Sequence, residues 1–578
     1  MLVNKLSGLL EPQLPLTREE IAGLLEIPPN ADMGDVALPC FALAKKLRQS
    51  PQQIAAALAE QLNAAFTRPN AEPPSGSVAS PTFEAAAAGP YLNFKLNRPA
   101  FAAELLHAAR SGELGRVSIG DGERVIIDMS SPNIAKPFGI GHLRSTMIGN
   151  ALYRILREVG YETVNVNHLG DWGTQFGKMI AAYLRWGHEV DLDAHPIKAY
   201  LELYVRFHDE AEKHPELEEE ARGWFKKLEE GDAQAAELWR SFIEESLKEF
   251  RKLYDRLGVT FDHYLGESFY NDKMDAVRQL LEERGLLEES DGAQVVRLDE
   301  YGMPPCIIVK SDGTSIYATR DLATALYRHD VMGGGRLLYV VGGEQSLHFQ
   351  QVFHVLKKLG YPWAGKLQHI PFGLMKLEGQ KMSTRRGKVV FLEDVLNEAV
   401  ERALRKIEEK NPALPNKQEA AEAFGIGAVV FGDLKNSRTL DVDFSLEEVL
   451  NFDGETGPYL QYTYARTASI LRKADADCAE ADSDFDYVPA ADPHAWELLK
   501  TVSRYPERLR QAAERCEPSV LARYLLELAQ AFNRFYHHVK VLSGNPAEQR
   551  MKIELVRTVS ELLRKGLELL GLQTPQEI

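Results

Sequence analysis

The residues with the clearest chemical potential lie in one turn, at 128–146. There Gly139 and Gly141 lack Cβ atoms, so that a ligand can approach the backbone closely, and His142 follows them directly. A helix that begins at such a turn aims backbone N–H groups and the positive end of its dipole at an anion. The stretch therefore predicts an anion site, although an ordinary strand-to-helix turn with a surface histidine would share this pattern.

Two kinds of element must hold this turn in place. The apolar β-branched run at 125–127 is typical of a buried parallel strand. The apolar residues after the turn recur at helical spacing, namely Leu143, Met147, Ile148, Leu152, Ile155 and Leu156. Further strands are expected at 163–167, 306–310, 315–318, 337–341 and 366–372. Because helical stretches separate most of these strands, the sequence predicts an α/β fold with a parallel sheet.

A second cationic segment lies far downstream. Lys381 opens a basic loop that also contains Ser383 and follows an apolar segment at 370–375. A long helix is expected directly after it, from about 392 to 410. A lysine on such a loop can neutralise charge that develops on a phosphate, whereas the plainer interpretation is a solvated basic loop.

Together the two segments resemble the HIGH and KMSKS signatures of class I aminoacyl-tRNA synthetases, and residues 130–146 resemble in particular the arginyl-tRNA synthetases. The resemblance extends over nearly the whole chain. It implies that a carboxylate of L-arginine attacks the α-phosphate of ATP, that pyrophosphate leaves, and that the arginyl group moves to the 3′ end of tRNA. Such a reaction needs no nucleophile from the protein, which positions two anionic reactants and neutralises charge.

The resemblance also implies which residues act on ATP. His142 matches the second histidine of HIGH, whereas Gly139 stands at the position of the first. The implied catalytic set is His142, Lys136, Lys381 and Ser383. The implied ATP-binding set is Gly139, Gly141, His142, Lys136, Lys381 and Met382. A glycine in place of the first histidine removes one donor to the phosphates.

The KMSKS-like loop departs from its signature at one position. Lys381 and Ser383 match the first lysine and the serine, but Thr384 replaces the second lysine. A cation for the pyrophosphate must then come from elsewhere. Lys136, in the turn before Gly139, is the expected substitute, and the arginines at 385–386 are competing candidates.

A pocket for arginine needs acids, because a planar guanidinium presents five donors that carboxylates accept in pairs. These acids should be otherwise unpaired. The resemblance implies arginine-binding roles for residues expected at strand ends or on the following turns, namely Asp128, Ser130, Asn133, Tyr317, Asp321 and Gln345, with Glu267 as a further candidate. A packed strand tyrosine would also explain Tyr317, and a helix N-cap would also explain Asp321.

Four parts are expected along the chain. Residues 1–112 form an added N-terminal α+β domain that the resemblance places against tRNA, and 113–400 form a Rossmann-type catalytic domain. A helical insertion interrupts that domain at about 183–261. A helical connector is expected at 401–450 and an α-helical anticodon-binding domain at 451–578.

RNA contacts should combine cations with aromatic surfaces for unpaired bases. The candidates are Tyr459, Tyr462, Arg466, Arg534 and Tyr536 in the C-terminal part and Lys45 in the N-terminal part. Aromatic residues at helical spacing also serve as core, and a solvated helix face also explains Lys45.

Composition narrows the class of protein. A net charge of -17 argues against indiscriminate nucleic-acid binding, so RNA contacts must rest on local basic patches. The four cysteines lie far apart, which predicts no metal site and no zinc.

We expect ATP with Mg²⁺ as a substrate complex and no bound organic cofactor. The expected partners are tRNA(Arg), L-arginine and ATP, with no membrane contact, for a monomer in the cytoplasm.

Two other functions fit parts of this pattern. A class I synthetase specific for cysteine or glutamate is one, although missing thiolate zinc ligands count against cysteine and the acidic pocket counts against glutamate. A paralogue that binds RNA without catalysis is the other, because Gly139 and Thr384 depart from the signatures. ATP–pyrophosphate exchange and aminoacylation assays separate these functions.

Overall fold

The described part of the chain covers most of its length. The computed structural model describes residues 2–28, 33–66, 83–192, 195–311, 317–377, 390–477 and 485–577. Three of the predicted site residues, Lys381, Met382 and Ser383, lie outside these ranges.

An antiparallel sheet and five helices form the N-terminal module. Its elements are α1 (Leu2–Leu10), α2 (Arg18–Leu24), β1 (Val36–Pro39), α3 (Phe41–Leu47), α4 (Pro51–Phe66), β2 (Phe83–Ala88), β3 (Tyr91–Leu96) and α5 (Arg98–Arg110). The strand order is β1-β3-β2, and both pairs are antiparallel. Ser50 caps α4 by accepting a hydrogen bond from the N–H of Gln53, and the apolar face of α4 is buried as its spacing predicts.

A parallel sheet with flanking helices follows. Its elements are β4 (Arg124–Asp128), α6 (Ile140–Glu158), β5 (Glu162–Asn167), α7 (Thr174–Trp186), α8 (Pro196–Lys213), α9 (Glu216–Glu229), α10 (Ala233–Leu257), β6 (His263–Tyr264), α11 (Met274–Glu283), β7 (Glu288–Ser290), β8 (Ala293–Val296), β9 (Cys306–Val309), α12 (Tyr317–Asp330), β10 (Arg336–Gly342), α13 (Ser346–Lys358), β11 (Leu367–Phe372) and β12 (Met375–Leu377). Five of these strands form one parallel sheet in the order β11-β10-β4-β5-β6. The sheet reverses its winding between β4 and β10, the point at which open α/β sheets bind ligands.

Successive residues of β4 are buried on opposite faces of this sheet. Val125 and Ile127 belong to the large core that includes α6, whereas Ile126 belongs to a second core that includes α11, α12 and α13. Both faces are therefore covered, which explains why the strand reads as a continuous apolar run. Helices α7 to α10 form the insertion between β5 and β6.

Two expectations about strands are wrong. The strand predicted at 306–310 is β9, but it belongs to a separate antiparallel sheet, β7-β8-β9, and not to the parallel one. A strand was also predicted at 315–318, but Tyr317 is the first residue of helix α12. Burial of Ala318, Leu322 and Ala325 shows the reason, since this spacing places all three on one face of a helix.

The C-terminal part is helical. Its elements are α14 (Leu392–Lys410), α15 (Lys417–Leu434), β13 (Val442–Phe444), α16 (Leu446–Val449), α17 (Gly457–Asp477), α18 (Pro493–Ser503), α19 (Tyr505–Glu514), α20 (Pro518–His538) and α21 (Pro546–Leu569). The helix predicted at 392–410 is confirmed as α14. Short 3-10 turns lie at Glu11–Gln13, Gly187–Glu189, Glu267–Lys273, Asp299–Tyr301, Gly343–Gln345, Pro362–Lys366 and Val488–Ala491.

The N-terminal module packs against this helical part. Asp35 accepts hydrogen bonds from the N–H of Leu96 at 3.0 Å and from the indole N–H of Trp496 at 2.8 Å. The predicted fold class is confirmed, with a parallel α/β sheet, a helical insertion, an N-terminal α+β module and a helical C-terminal part. No helix in the described ranges has the length and apolar character needed to cross a membrane.

Candidate active site

The turn between β4 and α6 lies at the carboxyl edge of the sheet, where its winding reverses. Asp128 ends β4 and is paired in register with Tyr339 of β10. The Gly343–Gln345 turn follows β10 at this same edge. Residues that follow β4 and β10 therefore face one crevice, as expected for a parallel sheet.

Three residues of this turn have left-handed backbone conformations without being glycine. Their φ angles are 71° at Ser130, 51° at Ser131 and 57° at Ala135. Such a conformation costs about 1–3 kcal/mol per residue and persists only where neighbours impose it. A side-chain oxygen from a different element accepts each of their N–H groups: Ser145 of α6 at 3.0 Å from Ser130, Asn167 of β5 at 3.2 Å from Ser131, and Ser246 of α10 at 2.9 Å from Ala135. The turn is thus held in a defined shape from three sides.

His142 lies half-buried in the first turn of α6. Its Nδ1 accepts a hydrogen bond from the N–H of Gly139 at 3.2 Å, which leaves the proton of the neutral ring on Nε2. Burial, together with the positive charge of Lys136, lowers the pKa of His142 to about 4, although the backbone hydrogen bond to Gly139 raises it. At neutral pH the ring is therefore an uncharged donor through Nε2.

Gly139 contacts this ring through its N–H group, and the charge of Lys136 acts on it. Gly139 is the N-cap of α6, and a Cβ placed on Gly141 would meet no atom within 4 Å, so space is open beside this helix end. The Nζ of Lys136 lies 5.3 Å from the ring centre of Tyr204 on α8. The structure thus brings Lys136, Gly139, Gly141 and His142 together.

The predicted loop that carries Lys381, here called the lysine loop, is flanked by residues that contact the beginning of α6. Upstream, the carbonyl of Gly373 accepts a hydrogen bond from Nη1 of Arg144 on α6 at 2.7 Å. Downstream, the N–H of Ile140 donates to the carbonyl of Val390 at 3.3 Å, and Gly139 forms an antiparallel bridge with Phe391. The ends of the segment that carries Lys381 therefore adjoin the beginning of α6.

The acids predicted for arginine are paired within the protein, and the expectation that they are unpaired is wrong. Asp128, only 5% exposed, accepts a hydrogen bond from the buried Arg328 at 2.7 Å and another from Ser131 at 3.0 Å. Asp321 and Glu267 also have basic neighbours. A carboxylate removed from water needs such a partner, because an isolated buried charge is too costly.

The pair Asp321–His348 joins α12 to α13. Nε2 of His348 lies 2.5 Å from Oδ2 of Asp321, and both side chains are about a quarter exposed or less. Tyr317 precedes Asp321 by one helical turn and is 65% exposed, while the exposed Gln345 precedes His348 at the start of α13. The structure thus places Tyr317 and Asp321 on α12 and Gln345 at the start of α13, the two helices that the Asp321–His348 pair joins. Asp321 lies inside α12 and is not its N-cap.

Glu267 belongs to a second acidic group beside α12. Its carboxylate lies 3.6 Å from Nη1 of Arg320. Burial, together with the negative charges of Asp171 and Asp321, raises the pKa of Glu267 to about 7 against the lowering effect of Arg320. Burial also raises the pKa of Asp171, whose carboxylate accepts hydrogen bonds from the N–H and hydroxyl of Ser268.

Two predicted arginine contacts are placed differently from each other. Ser130 is buried, and its hydroxyl is hydrogen-bonded to Tyr254 of α10 and Thr146 of α6, both at 2.8 Å. This hydroxyl therefore serves the internal network. Asn133 is exposed and forms a parallel bridge with Gly170, so it lies at the open edge of the turn.

The predicted RNA contacts in the C-terminal part form one cluster. The Arg466 guanidinium lies 5.0 Å from the ring of Tyr462 and 5.5 Å from the ring of Tyr536, and both tyrosines are exposed. Asn533 accepts from Arg466 and donates to the hydroxyl of Tyr459. Arg534 is exposed on the same helix as Tyr536, and Lys45 is exposed in the N-terminal module.

Sequence reasoning missed the residues that support this site. Arg328 and His348 hold two of the predicted acids, and Ser246 supports the turn from the insertion. A serine within the apolar stripe of α10 was the only visible signal for Ser246, since a buried hydroxyl in a core position needs a partner. Nothing in the sequence indicated the pairing of Arg328 with an acid so far upstream.

Among the residues that the structure describes, no group of three or more His, Cys, Asp or Glu side chains could hold a metal ion. Cys40, Cys306 and Cys516 are buried free thiols.

Three family descriptions match consecutive parts of the chain. Residues 104–446 match "tRNA synthetases class I (R), catalytic domain", residues 460–578 match "DALR anticodon binding domain", and residues 2–96 match "Arginyl tRNA synthetase N terminal domain".

Relatives of similar length carry a consistent name. The chain is 49% identical over 579 residues to an "Arginine--tRNA ligase" of Latilactobacillus sakei, covering 100% of this chain and 99% of the relative. It is 51% identical over 570 residues to an "Arginine--tRNA ligase" of Enterococcus faecalis, covering 97% of each.

A solved structure shares the whole architecture. The arginyl-tRNA synthetase of Thermus thermophilus superposes with a TM-score of 0.81 at 27% identity, covering 100% of this chain and 99% of that one. Sequence, domain order and fold agree, and the chain accordingly belongs to the arginyl-tRNA synthetases of class I.

Proposed function

We propose that this chain is an arginine–tRNA ligase, which activates L-arginine with ATP and transfers it to the 3′ end of tRNA(Arg). The observation that carries this proposal is the backbone pairing of Gly139 with Phe391, which joins the end of the lysine-bearing segment to the turn that holds His142. This pairing supports the proposal that His142 and the segment that carries Lys381 act on one triphosphate.

The first step joins arginine to AMP. A carboxylate oxygen of arginine forms a bond to the α-phosphorus, and the bond from that phosphorus to the bridging oxygen breaks, so that pyrophosphate leaves with the electron pair. Nε2–H of His142 and the N–H groups at the start of α6 donate to phosphate oxygens. Lys136 and Lys381 supply positive charge, and Mg²⁺ accompanies the ATP phosphates as part of the substrate.

Arginine is selected by acids at the carboxyl edge of the sheet. The carboxylates of Asp321 and Glu267 accept hydrogen bonds from the guanidinium of arginine. At these carboxylates the guanidinium binds beside His348 and Arg320 or takes their place. Tyr317, Asn133 and Gln345 line the same crevice, while Asp128 and Ser130 act from the buried side. A guanidinium satisfies carboxylates better than any neutral side chain can, which gives the site its specificity.

The second step moves the arginyl group to RNA. A hydroxyl at the 3′ end of tRNA attacks the carbonyl carbon of the adenylate, and AMP leaves. The helical part at 451–578 binds the anticodon region through the cluster of Tyr462, Arg466 and Tyr536, with Tyr459 and Arg534 beside it. The module at 1–112 contacts tRNA through residues such as Lys45.

The catalytic part spans 113–400 with its insertion at 183–261, and 401–450 connects it to the helical part. The protein acts as a monomer in the cytoplasm.

Aminoacylation of tRNA(Arg) by the purified protein tests this proposal. With ATP, Mg²⁺ and arginine, we expect charged tRNA from the unmodified protein, and we expect cysteine and glutamate to support neither charging nor ATP–pyrophosphate exchange in the presence of tRNA. Charging with another amino acid would indicate a synthetase of different specificity. A protein that binds tRNA(Arg) but charges no tRNA would be the non-catalytic paralogue.

A further inference from the structure

Arg144 is a fully buried arginine close to the catalytic turn. It lies one helical turn inside the beginning of α6, and its side chain is 1% exposed. Its guanidinium lies 2.9 Å from the buried carboxylate of Asp433, near the end of α15. It also donates to three backbone carbonyls, those of Gly373 at 2.7 Å, Leu440 at 2.8 Å and Arg438 at 3.2 Å. One side chain thus joins α6 to two other segments and to α15.

The first of these segments leads into the lysine loop. Gly373 lies between β11 and β12, and β12 is the last strand described before that loop. A Cβ on Gly373 would lie 2.5 Å from the carbonyl oxygen of Leu440, so only glycine permits this close approach. Arg144 therefore fixes the beginning of α6 relative to the chain that enters the loop.

The second segment belongs to the C-terminal half. The N–H of Leu374 donates to the Asp441 carboxylate at 2.8 Å, and β12 pairs in parallel with β13 over three positions. Residues 438–444 are thus joined to 373–377 along their whole length. Movement of one strand without the other would break each of these bonds.

The same segment contacts the helical domain. The Arg438 guanidinium donates to the carbonyl of Pro371 at 2.6 Å and to that of Cys516, between α19 and α20, at 3.1 Å. Glu517 accepts hydrogen bonds from Ser437 and from the N–H of Arg438. A continuous set of contacts therefore runs from the α19–α20 turn through 437–444 to Arg144 and α6.

We propose that Arg144 is a positioning residue for adenylate formation, which holds the His142 turn against the segments at 373–377 and 438–444 and aligns them with the helical domain. This role rests on the proposed function. Arg144 acts through its neighbours, because its side chain is buried among backbone carbonyls and Asp433. A guanidinium is needed here, since an ammonium group cannot reach an acid and three carbonyls in different directions.

The chain contains a matched control on the same helix. Arg154 donates to the carbonyl of Glu568 in the helical domain at 2.7 Å and to that of Gly258 after α10 at 2.7 Å. It therefore also links α6 to the C-terminal half through carbonyls. Neither of these bonds involves the segments at 373–377 or 438–444, so Arg154→Lys reports the general effect of losing such a link.

The test compares Arg144→Lys, Asp433→Asn, their combination and Arg154→Lys in the full-length protein. We expect kcat for tRNA charging to fall about 10-fold or more in Arg144→Lys, with KM for arginine and tRNA within about twofold of the original values, because an interaction that aligns the reacting groups affects kcat. Active-site titration corrects each rate for the folded fraction. We expect the double variant to lose little beyond Arg144→Lys, since both changes disrupt one unit.

Two results would overturn the positioning role. One is a corrected kcat for Arg144→Lys equal to that of Arg154→Lys. The other is strictly additive loss in the double variant. If Arg144→Lys does not fold, Asp433→Asn, which preserves the shape of the side chain, carries the comparison, and an unchanged kcat there is the contradicting result. Failure of the unmodified protein to charge tRNA(Arg) would instead refute the proposed function.

Discussion

At the scale of single residues, a backbone contact determines the tautomer of His142, and burial determines its charge. The N–H of Gly139 occupies Nδ1, and burial keeps the ring neutral by lowering the pKa of His142 to about 4. The glycine at the first position of the HIGH-like signature thus supports the histidine at the second. A proton on Nε2 is then available to a phosphate oxygen across the whole neutral range.

Replacement of this histidine should slow activation strongly. We expect His142→Ala to lower kcat for adenylate formation about 10²- to 10³-fold, because a preorganised donor to developing charge is lost. His142→Gln, which keeps an N–H donor, should recover part of the rate. ATP–pyrophosphate exchange with arginine and tRNA measures both variants, and equal activity of His142→Ala and the original protein would exclude a role for the ring.

Glu267 should give arginine binding a pH dependence. Burial raises the pKa of Glu267 to about 7, so this carboxyl is partly protonated at pH 6 and ionised at pH 8. A guanidinium, charged throughout this range, binds the ionised form more tightly, and KM for arginine should therefore fall as pH rises from 6 to 8. Steady-state kinetics of Glu267→Gln provide the control. If the slope of KM against pH persists in that variant, another group is responsible.

At the scale of elements, the site depends on contacts that fix a strained turn and bury a strand end. The Asp128–Arg328 ion pair joins the end of β4 to α12, and both side chains are nearly inaccessible to solvent. Removal of one partner leaves an uncompensated charge in the core, whereas removal of both leaves only a packing defect.

Arg328→Leu should therefore destabilise the protein strongly. We expect the free energy of unfolding to fall by about 3–5 kcal/mol, as for other broken buried ion pairs, and part of this loss to be recovered when Asp128→Asn is added. Denaturant unfolding of the single and double variants measures the effect. A double variant that is less stable than Arg328→Leu would contradict the assignment of an ion pair.

The sequence predicted elements well where local periodicity determined them. Helix α14 matches its expected bounds, and strands β4, β10 and β11 match to within a residue or so. The apolar residues of α14 recur at helical spacing, and β4 and β10 each contain a continuous apolar run. The predictions for the segments around 306 and 317 were wrong, because the partner strands and the start of the helix depend there on residues that are far away in the sequence. The same limit hid the partners of the acids: Arg328 and His348 are ordinary helical residues until tertiary packing places them against carboxylates.

At the scale of the whole molecule, the N-terminal module depends on the helical domain for its position. Both oxygens of Asp35 are engaged, one by the module's own backbone and the other by the indole of Trp496. The ring of Phe101 and the guanidinium of Arg98 also pack against this indole. Trp496 is thus a central contact between the two ends of the chain.

Trp496→Phe should loosen this contact while leaving each domain folded. We expect about 1–3 kcal/mol of docking energy to be lost, the cost of a buried acceptor left without its donor. Faster proteolytic release of the N-terminal module reports the change. Trp363→Phe is the control, because Trp363 stacks on His329 within the catalytic part. Equal release rates for the two variants would show that the Asp35–Trp496 bond does not hold the module.

A structure of the protein with L-arginine and a non-hydrolysable ATP analogue tests the central claim most directly. We expect the triphosphate to lie at the start of α6, with phosphate oxygens within hydrogen-bonding distance of His142 Nε2 and of the Lys381 ammonium group. The guanidinium should contact the carboxylates of Asp321 and Glu267. A nucleotide bound elsewhere, or an arginine distant from both acids while Asp321 remains bonded to His348, would contradict the account.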